Sequence, residues 1–164
     1  LVRVLRNLDQ LKGLVEELRL KGKKIVFTNG CFDVLHAGHA DYLERAKSFG
    51  DFLIVGMNSD SSIRKIKGEK RPIVPEDMRA RLLSSLRPVD LVFIFEEETP
   101  IEVIKAVRPD VLVKGADWPI EKIVGREFAG RVERIPFNYQ ISTTKIVERI
   151  LELYCSKTSG GTTA

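Results

Sequence analysis

Cysteine is scarce. Cys31 and Cys155 are the only two in 164 residues, which is too few for a disulfide framework and lacks the paired spacing of a zinc site. No apolar run approaches the roughly 18 residues of a membrane-spanning helix; stretches such as Leu91 to Phe95 have the length of a strand. Arg3 and Arg6 interrupt the N-terminal apolar residues and no small-residue cleavage site follows them, so no secretory leader is expected and cytoplasmic residence is. Aromatic residues are only 7% of the chain and do not interleave with its basic residues, which weighs against a nucleic-acid-binding surface.

What is present suits one folded domain: 43% hydrophobic and 30% charged residues, with a net charge of +4, favour a packed core and a surface that handles anions. Leu8, Leu11, Leu14, Val15 and Leu18 recur at helical spacing, and the helix they predict closes near Gly22. Lys24 to Phe27 reads as a first strand, and Ala40, Leu43, Ala46 and Phe49 mark a helix ended by Gly50. Phe52 to Met57 is a second strand. Pro75 opens a helix to about Leu86, Leu91 to Phe95 is a third strand, and Thr99 with Pro100 starts a helix that stops before Pro109. Val111 to Val113 and Val132 to Ile135 complete the strands, and Ser142 caps a last helix through Tyr154.

Strands alternating with helices predict a doubly wound, Rossmann-like α/β domain. Its five parallel strands are expected in the order 3-2-1-4-5, with helices on both faces. Residues 1–22 form a helix packed on the domain, 23–154 the domain itself and 155–164 a disordered tail. Ligands in such folds bind beyond the carboxyl ends of the strands. The unusual residues fall there: Asn29 to His39, a basic loop from Arg64 to Arg71, Lys114 to Trp118, and Gln140 to Lys145.

Both histidines of the chain, His36 and His39, flank Ala37 and Gly38 at a helix start. There the positive end of the helix and two imidazole donors suit a phosphate. The run Gly30-Cys31-Phe32-Asp33-Val34-Leu35-His36-Ala37-Gly38-His39 resembles the signature of the cytidylyltransferase-like nucleotidyltransferases, whose H-x-G-H pair contacts a nucleoside triphosphate. Lys114-Gly115-Ala116-Asp117 is similar to the family's loop after the fourth strand, and Ile141-Ser142-Thr143-Thr144-Lys145 to its motif opening the last helix. Within the family, Phe27 to Asp33, Asn58-Ser59-Asp60, Lys67 to Pro72 and Val113 to Asp117 resemble the branch that adenylates D-glycero-β-D-manno-heptose 1-phosphate. That branch makes ADP-heptose and pyrophosphate for lipopolysaccharide core synthesis. The alternative is a CTP-dependent cytidylyltransferase acting on glycerol 3-phosphate or a similar alcohol phosphate. Such enzymes carry an acid where this chain has Ala116, and Arg-Thr-Glu-Gly where it has Phe137-Asn138-Tyr139-Gln140.

The resemblance implies that His36, His39, Lys67 and Arg79 act on the phosphates, and that Thr28, Asn29, Gly30, Cys31, Phe32, Gly38, Lys114, Gly115, Asp117, Ile141, Ser142 and Thr143 hold the nucleotide. Asp33, Asn58 and Arg71 would meet the sugar phosphate. The attacking phosphate is already ionised at neutral pH, so the site needs positioning and electrostatics rather than a strong base. Mg²⁺ is expected to arrive with ATP, held through phosphate oxygens rather than by a protein cage. A nucleic-acid module and a catalytically silent nucleotide sensor are the competing classes. A homodimer is a further expectation, with the N-terminal helix and Leu151 to Tyr154 as contact surfaces.

Overall fold

The computed structural model describes residues 3–155; the expected tail from 156 onward lies outside the described residues. Six parallel strands form one sheet: β1 (Val4–Leu5), β2 (Ile25–Gly30), β3 (Phe52–Asn58), β4 (Leu91–Phe95), β5 (Val111–Gly115) and β6 (Arg131–Ile135), in the order β1-β4-β3-β2-β5-β6. The expectation of five strands is therefore corrected. Val4 and Leu5 pair with Val92 and Phe93 as an additional edge, a two-residue strand too short to leave a periodic signal.

The helices are α1 (Leu8–Leu20), α2 (Ala37–Lys47), α3 (Asp60–Lys67), α4 (Glu76–Ser85), α5 (Ile101–Val107) and α6 (Thr143–Cys155). Alternate strand residues feed opposite faces of the sheet, as the pleat requires. On one face Val26, Val55, Val92 and Val113 pack with Tyr42, Leu43 and Ala46 of α2 and Leu83 of α4. On the other, Ile25, Phe27, Ile54 and Leu112 pack with Leu11, Val15 and Leu18 of α1 and with Val103, Ile104 and Val107 of α5. This two-sided burial explains why the strands read as continuous apolar runs. Among the described residues no helix is long and apolar enough to cross a membrane.

Two local expectations change. The basic stretch Arg64 to Arg71 is not all loop: its first half is the last turn of α3, where Arg64, Lys65 and Lys67 lie at the negative end of the helix dipole. Ser59 starts that helix by accepting from the Ser62 amide at 3.1 Å. Gly68, at φ +88°, then reverses the chain in a conformation that L side chains rarely adopt. At α5 the N-cap is Pro100 rather than Thr99.

β2 is the switch point: β3 and β4 lie to one side of it and β5 and β6 to the other. The carboxyl ends of β2 and β5 therefore open on one crevice, between two helices that begin there, α2 and α6.

Candidate active site

The cleft above that crevice has a volume of about 840 Å³ and is lined by His36, His39, Lys67, Arg71, Asp117 and the segment from Gln140 to Lys145, with Phe137 and Tyr139 at its rim. Its floor is the start of α2. His36 is the N-cap and makes no side-chain capping bond, and the first turn contains no acid. The first turn of α6 is likewise free of acid, and Ser142 caps it by accepting from the Lys145 amide at 3.2 Å. The two starts adjoin: a Cβ on Gly38 would lie 3.1 Å from the His36 ring and 3.4 Å from the Ile141 side chain. By contrast α1, α3, α4 and α5 each carry an acid in the first turn. Two uncompensated positive helix ends thus face one cavity, the arrangement that binds phosphate through backbone N–H groups.

Between those ends the imidazoles of His36 and His39 stack, with centroids 3.8 Å apart and planes 19° from parallel; Phe32 backs His39 at 5.2 Å. Their Nδ1 atoms are buried without a hydrogen-bond partner. Burial lowers the pKa of both, and for His39 the adjacent His36 and Lys67 add to it, bringing the ring down to about 4. At neutral pH the pair is therefore uncharged, and each ring offers one N–H donor. The positive charge of the cleft comes from Lys67, Arg71 and Lys145 and from the helix ends.

A second cavity of about 430 Å³ lies on the α5 side, lined by Cys31, Asn58, Lys67, Lys114, Trp118 and Lys122 among others. A small cavity of about 170 Å³ links the two regions; it shares His39 and Asp117 with the cleft and Lys114 and Trp118 with the second cavity. Lys114 donates to Asn29 Oδ1 at 2.8 Å and stands 5.5 Å from the centre of the Trp118 ring. Burial lowers its amine to about 8, against a partial opposing pull from Asp117. Asn29, Gly30, Cys31 and Gly115 form the floor of the small cavity. Burial raises the Cys31 thiol against the nearby cations, so it stays protonated and is not a ready nucleophile.

Four expected site residues sit elsewhere or are already engaged. Arg79 is fully buried. It donates to the carbonyls of Val74, Cys31 and Asn58 at 2.9, 2.7 and 2.8 Å, and to Asp60 Oδ1 at 2.7 Å. An arginine one turn into a surface helix was expected to reach phosphate; this one instead staples the ends of β2 and β3 to the loop before α4. Thr28 is also fully buried, with its hydroxyl donating to the Val113 carbonyl at 3.0 Å and 2.8 Å from the Tyr42 hydroxyl. It joins β2, β5 and α2 beneath the site and lines neither the cleft, the second cavity nor the link between them. Asp33 is 5% exposed and accepts from Arg71 at 2.9 Å and from the amides of Ile73 and Val74 at 2.7 and 2.9 Å. Burial works against its carboxylate, but these hydrogen bonds outweigh it and lower the pKa. Asp33 is thus engaged with Arg71 and the amides that precede α4. Asn58 lines the second cavity but spends its amide on Ser62 Oγ at 2.9 Å.

Residues that motif reading passed over complete the site. Lys145 contributes a cleft cation next to the capping Ser142, and Lys122 and Glu98 line the second cavity. Phe137 stacks on Tyr42 at 5.7 Å and shapes the rim. Lys145 lies inside the motif from Ile141 to Lys145 and could have been found there; Glu98 lies in an irregular segment and Lys122 ends a three-residue 3-10 turn, Ile120–Lys122, and neither is long enough to carry a periodic signal.

Comparison with known proteins agrees with this geometry. Proteins named Bifunctional protein HldE are 50% identical over 153 residues in Geobacter sulfurreducens, covering 91% of this chain and 31% of theirs, and 56% identical over 140 residues in Helicobacter pylori, covering 85% and 30%. The chain therefore spans about three-tenths of the length of these relatives. A lipopolysaccharide core biosynthesis protein from Thermoplasma volcanium superposes with a TM-score of 0.61 at 31% identity, covering 72% of this chain and 100% of that one. A pantoate-beta-alanine ligase from Francisella tularensis shares the fold, with a TM-score of 0.64 at 18% identity over 93% of this chain and 78% of its own. The profile described as Cytidylyltransferase-like matches residues 27–149, a span that runs from the strand beneath the imidazoles to the helix that faces them. By that match, which covers most of its length, this chain belongs to the cytidylyltransferase-like family.

Proposed function

We propose that this chain transfers the adenylyl group of ATP to a sugar 1-phosphate, D-glycero-β-D-manno-heptose 1-phosphate, releasing pyrophosphate and forming ADP-heptose. The observation that carries the reading is the stacked His36–His39 pair set between two helix starts that lack acids. The similarity of the chain to HldE proteins and to a lipopolysaccharide core biosynthesis protein supports the sugar.

In this reading the triphosphate lies in the cleft, with its outer phosphates on the α6 start at Ser142 and Thr143 and its α- and β-phosphates at the imidazoles and the α2 start. Lys67, which lines both the cleft and the second cavity, bridges nucleotide and acceptor. A phosphate oxygen of the acceptor attacks the α-phosphorus. The bond from that phosphorus to the oxygen bridging to the β-phosphate breaks, and pyrophosphate leaves with the electron pair. The acceptor oxygen is already anionic, so no general base is assigned. The catalytic contribution is alignment of the two anions and stabilisation of the charge that grows on the leaving group.

Mg²⁺ would come with ATP. Among the described residues no cluster of three or more metal-ligating side chains exists, and Asp117 is the single carboxylate lining the cleft. One carboxylate plus phosphate oxygens and water is a donor set that suits Mg²⁺, which when bound would screen phosphate charge. The Gly68 turn permits the chain after α3 to close over the phosphates. We also propose a cytoplasmic protein whose residues 23–154 form the catalytic unit. It would act as a homodimer through α6, which leaves Ile150, Leu151, Leu153 and Tyr154 exposed.

The test is pyrophosphate release with Mg²⁺, D-glycero-β-D-manno-heptose 1-phosphate and either ATP or CTP. The reading expects release with ATP at least tenfold faster than with CTP. Equal or faster release with CTP, or none with either, contradicts it.

A further inference from the structure

We propose that Lys114 receives the phosphate group of the acceptor in the cavity beneath Trp118, rather than binding the nucleotide. The proposal rests on the reading above and adds to it the place where the attacking monoester is held.

Lys114 is the penultimate residue of β5, where the sheet opens, and its ammonium is largely enclosed without an ion-pair partner, Asp117 acting on it only from a distance. Among the described residues no carboxylate stands within ion-pair distance of Nζ. Its contacts are a neutral amide oxygen, Asn29 Oδ1 at 2.8 Å, and the indole face of Trp118 at 5.5 Å. An enclosed cation with no anion beside it is costly to hold charged, and it becomes favourable when an anion enters. The neighbours point to an anion from outside the chain. From β2 and its loop come Asn29 and the protonated Cys31; from α3, Lys67; from the segment after β5, Lys122; and from the segment after β4, Glu98. His39 and Asp117 face Lys114 across the small linking cavity. Three lysines against two carboxylates, neither of them paired with Lys114, leave this region positive.

Position selects the acceptor over the nucleotide. Lys114 is absent from the lining of the triphosphate cleft, yet it shares one cavity with His39 and another with Lys67. A monoester held at Lys114 therefore lies between the second cavity, which has room for a sugar, and the imidazoles where the α-phosphate is expected. Entry of that anion draws the amine back to the charged form. Acceptor affinity should be constant where Lys114 is charged and fall about tenfold per pH unit once the free amine has lost its proton, above about pH 8. The phosphate itself is fully ionised in that range, its second pKa being about 6, so it adds no break there.

Trp118 is the one tryptophan of the chain and is 48% exposed, so its fluorescence reports this cavity. The experiment titrates D-glycero-β-D-manno-heptose 1-phosphate, and separately Mg·ATP, against intrinsic fluorescence from pH 6.5 to 9.5 in wild type, Lys114→Met and Lys114→Arg, with pyrophosphate release measured in parallel. Expected are a saturable acceptor signal in wild type with a break near pH 8, a loss of acceptor affinity of tenfold or more in Lys114→Met, and recovery without the break in Lys114→Arg. Mg·ATP affinity should change less than threefold in either variant. Turnover by wild type with a break-free acceptor profile, or Lys114→Met weakening Mg·ATP and sparing the acceptor, overturns this assignment alone. The wild-type profile decides even if a variant does not fold. No turnover with the heptose phosphate overturns the functional reading and this proposal with it.

Discussion

Arg79 and Lys114 are both enclosed cations near the ends of central strands, and the structure treats them in opposite ways. Around Arg79 three carbonyls and the Asp60 carboxylate accept its donors, so its charge is spent holding loops together. Around Lys114 there are one amide oxygen, an aromatic face and, beyond ion-pair distance, the Asp117 carboxylate, so among the described residues no carboxylate pairs with its charge. A buried charge with a full set of partners stabilises a fold, whereas one without them marks a place for a ligand.

The largest break in this comparison should come from Arg79→Met. Removing the guanidinium leaves the Asp60 carboxylate and three carbonyls without their donor, and urea denaturation should show a loss of about 3–5 kcal/mol. The next is at the imidazoles: His36→Ala or His39→Ala should lower kcat by about 100- to 1,000-fold, the cost of a lost donor to developing charge, with the denaturation midpoint little changed. Near-wild-type turnover in both variants would remove their role.

Lys114→Met should move stability the other way. An amine lowered from 10.5 to about 8 in the fold is destabilising at pH 7, because the unfolded chain binds its proton more tightly. The variant should gain about 1 kcal/mol or more at pH 7, less the lost bond to Asn29, and the gain should shrink as pH rises toward 10. A loss comparable with that of Arg79→Met would make Lys114 a second staple.

The last effect is confined to acid pH. With His39 at about 4 in the fold against 6.5 ordinarily, its stabilising contribution is complete above pH 6.5 and is lost as pH falls toward 4. The deficit at pH 5 is about 1–2 kcal/mol. His39→Gln should flatten the stability curve over that window.

How far the sequence foretold these two environments follows from what each depends on. The alternation of strands and helices was legible because the strands are buried on both faces and so read as unbroken apolar runs. His36, His39, Ser142 and Lys67 were legible because glycine, cap and helix start fix them locally, and the fold brings all four to one cleft. Arg79 was not, since its partners come from positions 31, 58, 60 and 74 and only the tertiary structure decides whether a helical arginine points outward or inward. The same holds for Thr28, whose buried hydroxyl looks from sequence like any strand-end threonine. The edge strand β1 was missed because two residues carry no periodicity, and helix α3 because only Ile63 and Ile66 of its eight residues are apolar. Ser59 and Asp60, a cap and a first-turn acid, were the signal for α3.

The central claim is that the starts of α2 and α6 together grip a triphosphate. It is tested most directly by following backbone amide resonances of the protein as Mg·ATP is added. The account predicts that the amides of Gly38 and His39 on one helix and Thr143 and Thr144 on the other shift together, with one common affinity, and that the joint response is lost in the His36→Ala, His39→Ala double variant. Shifts confined to one helix start, or gathered instead around Arg3, Arg6 and Arg81 at the far edge of the sheet, would contradict it.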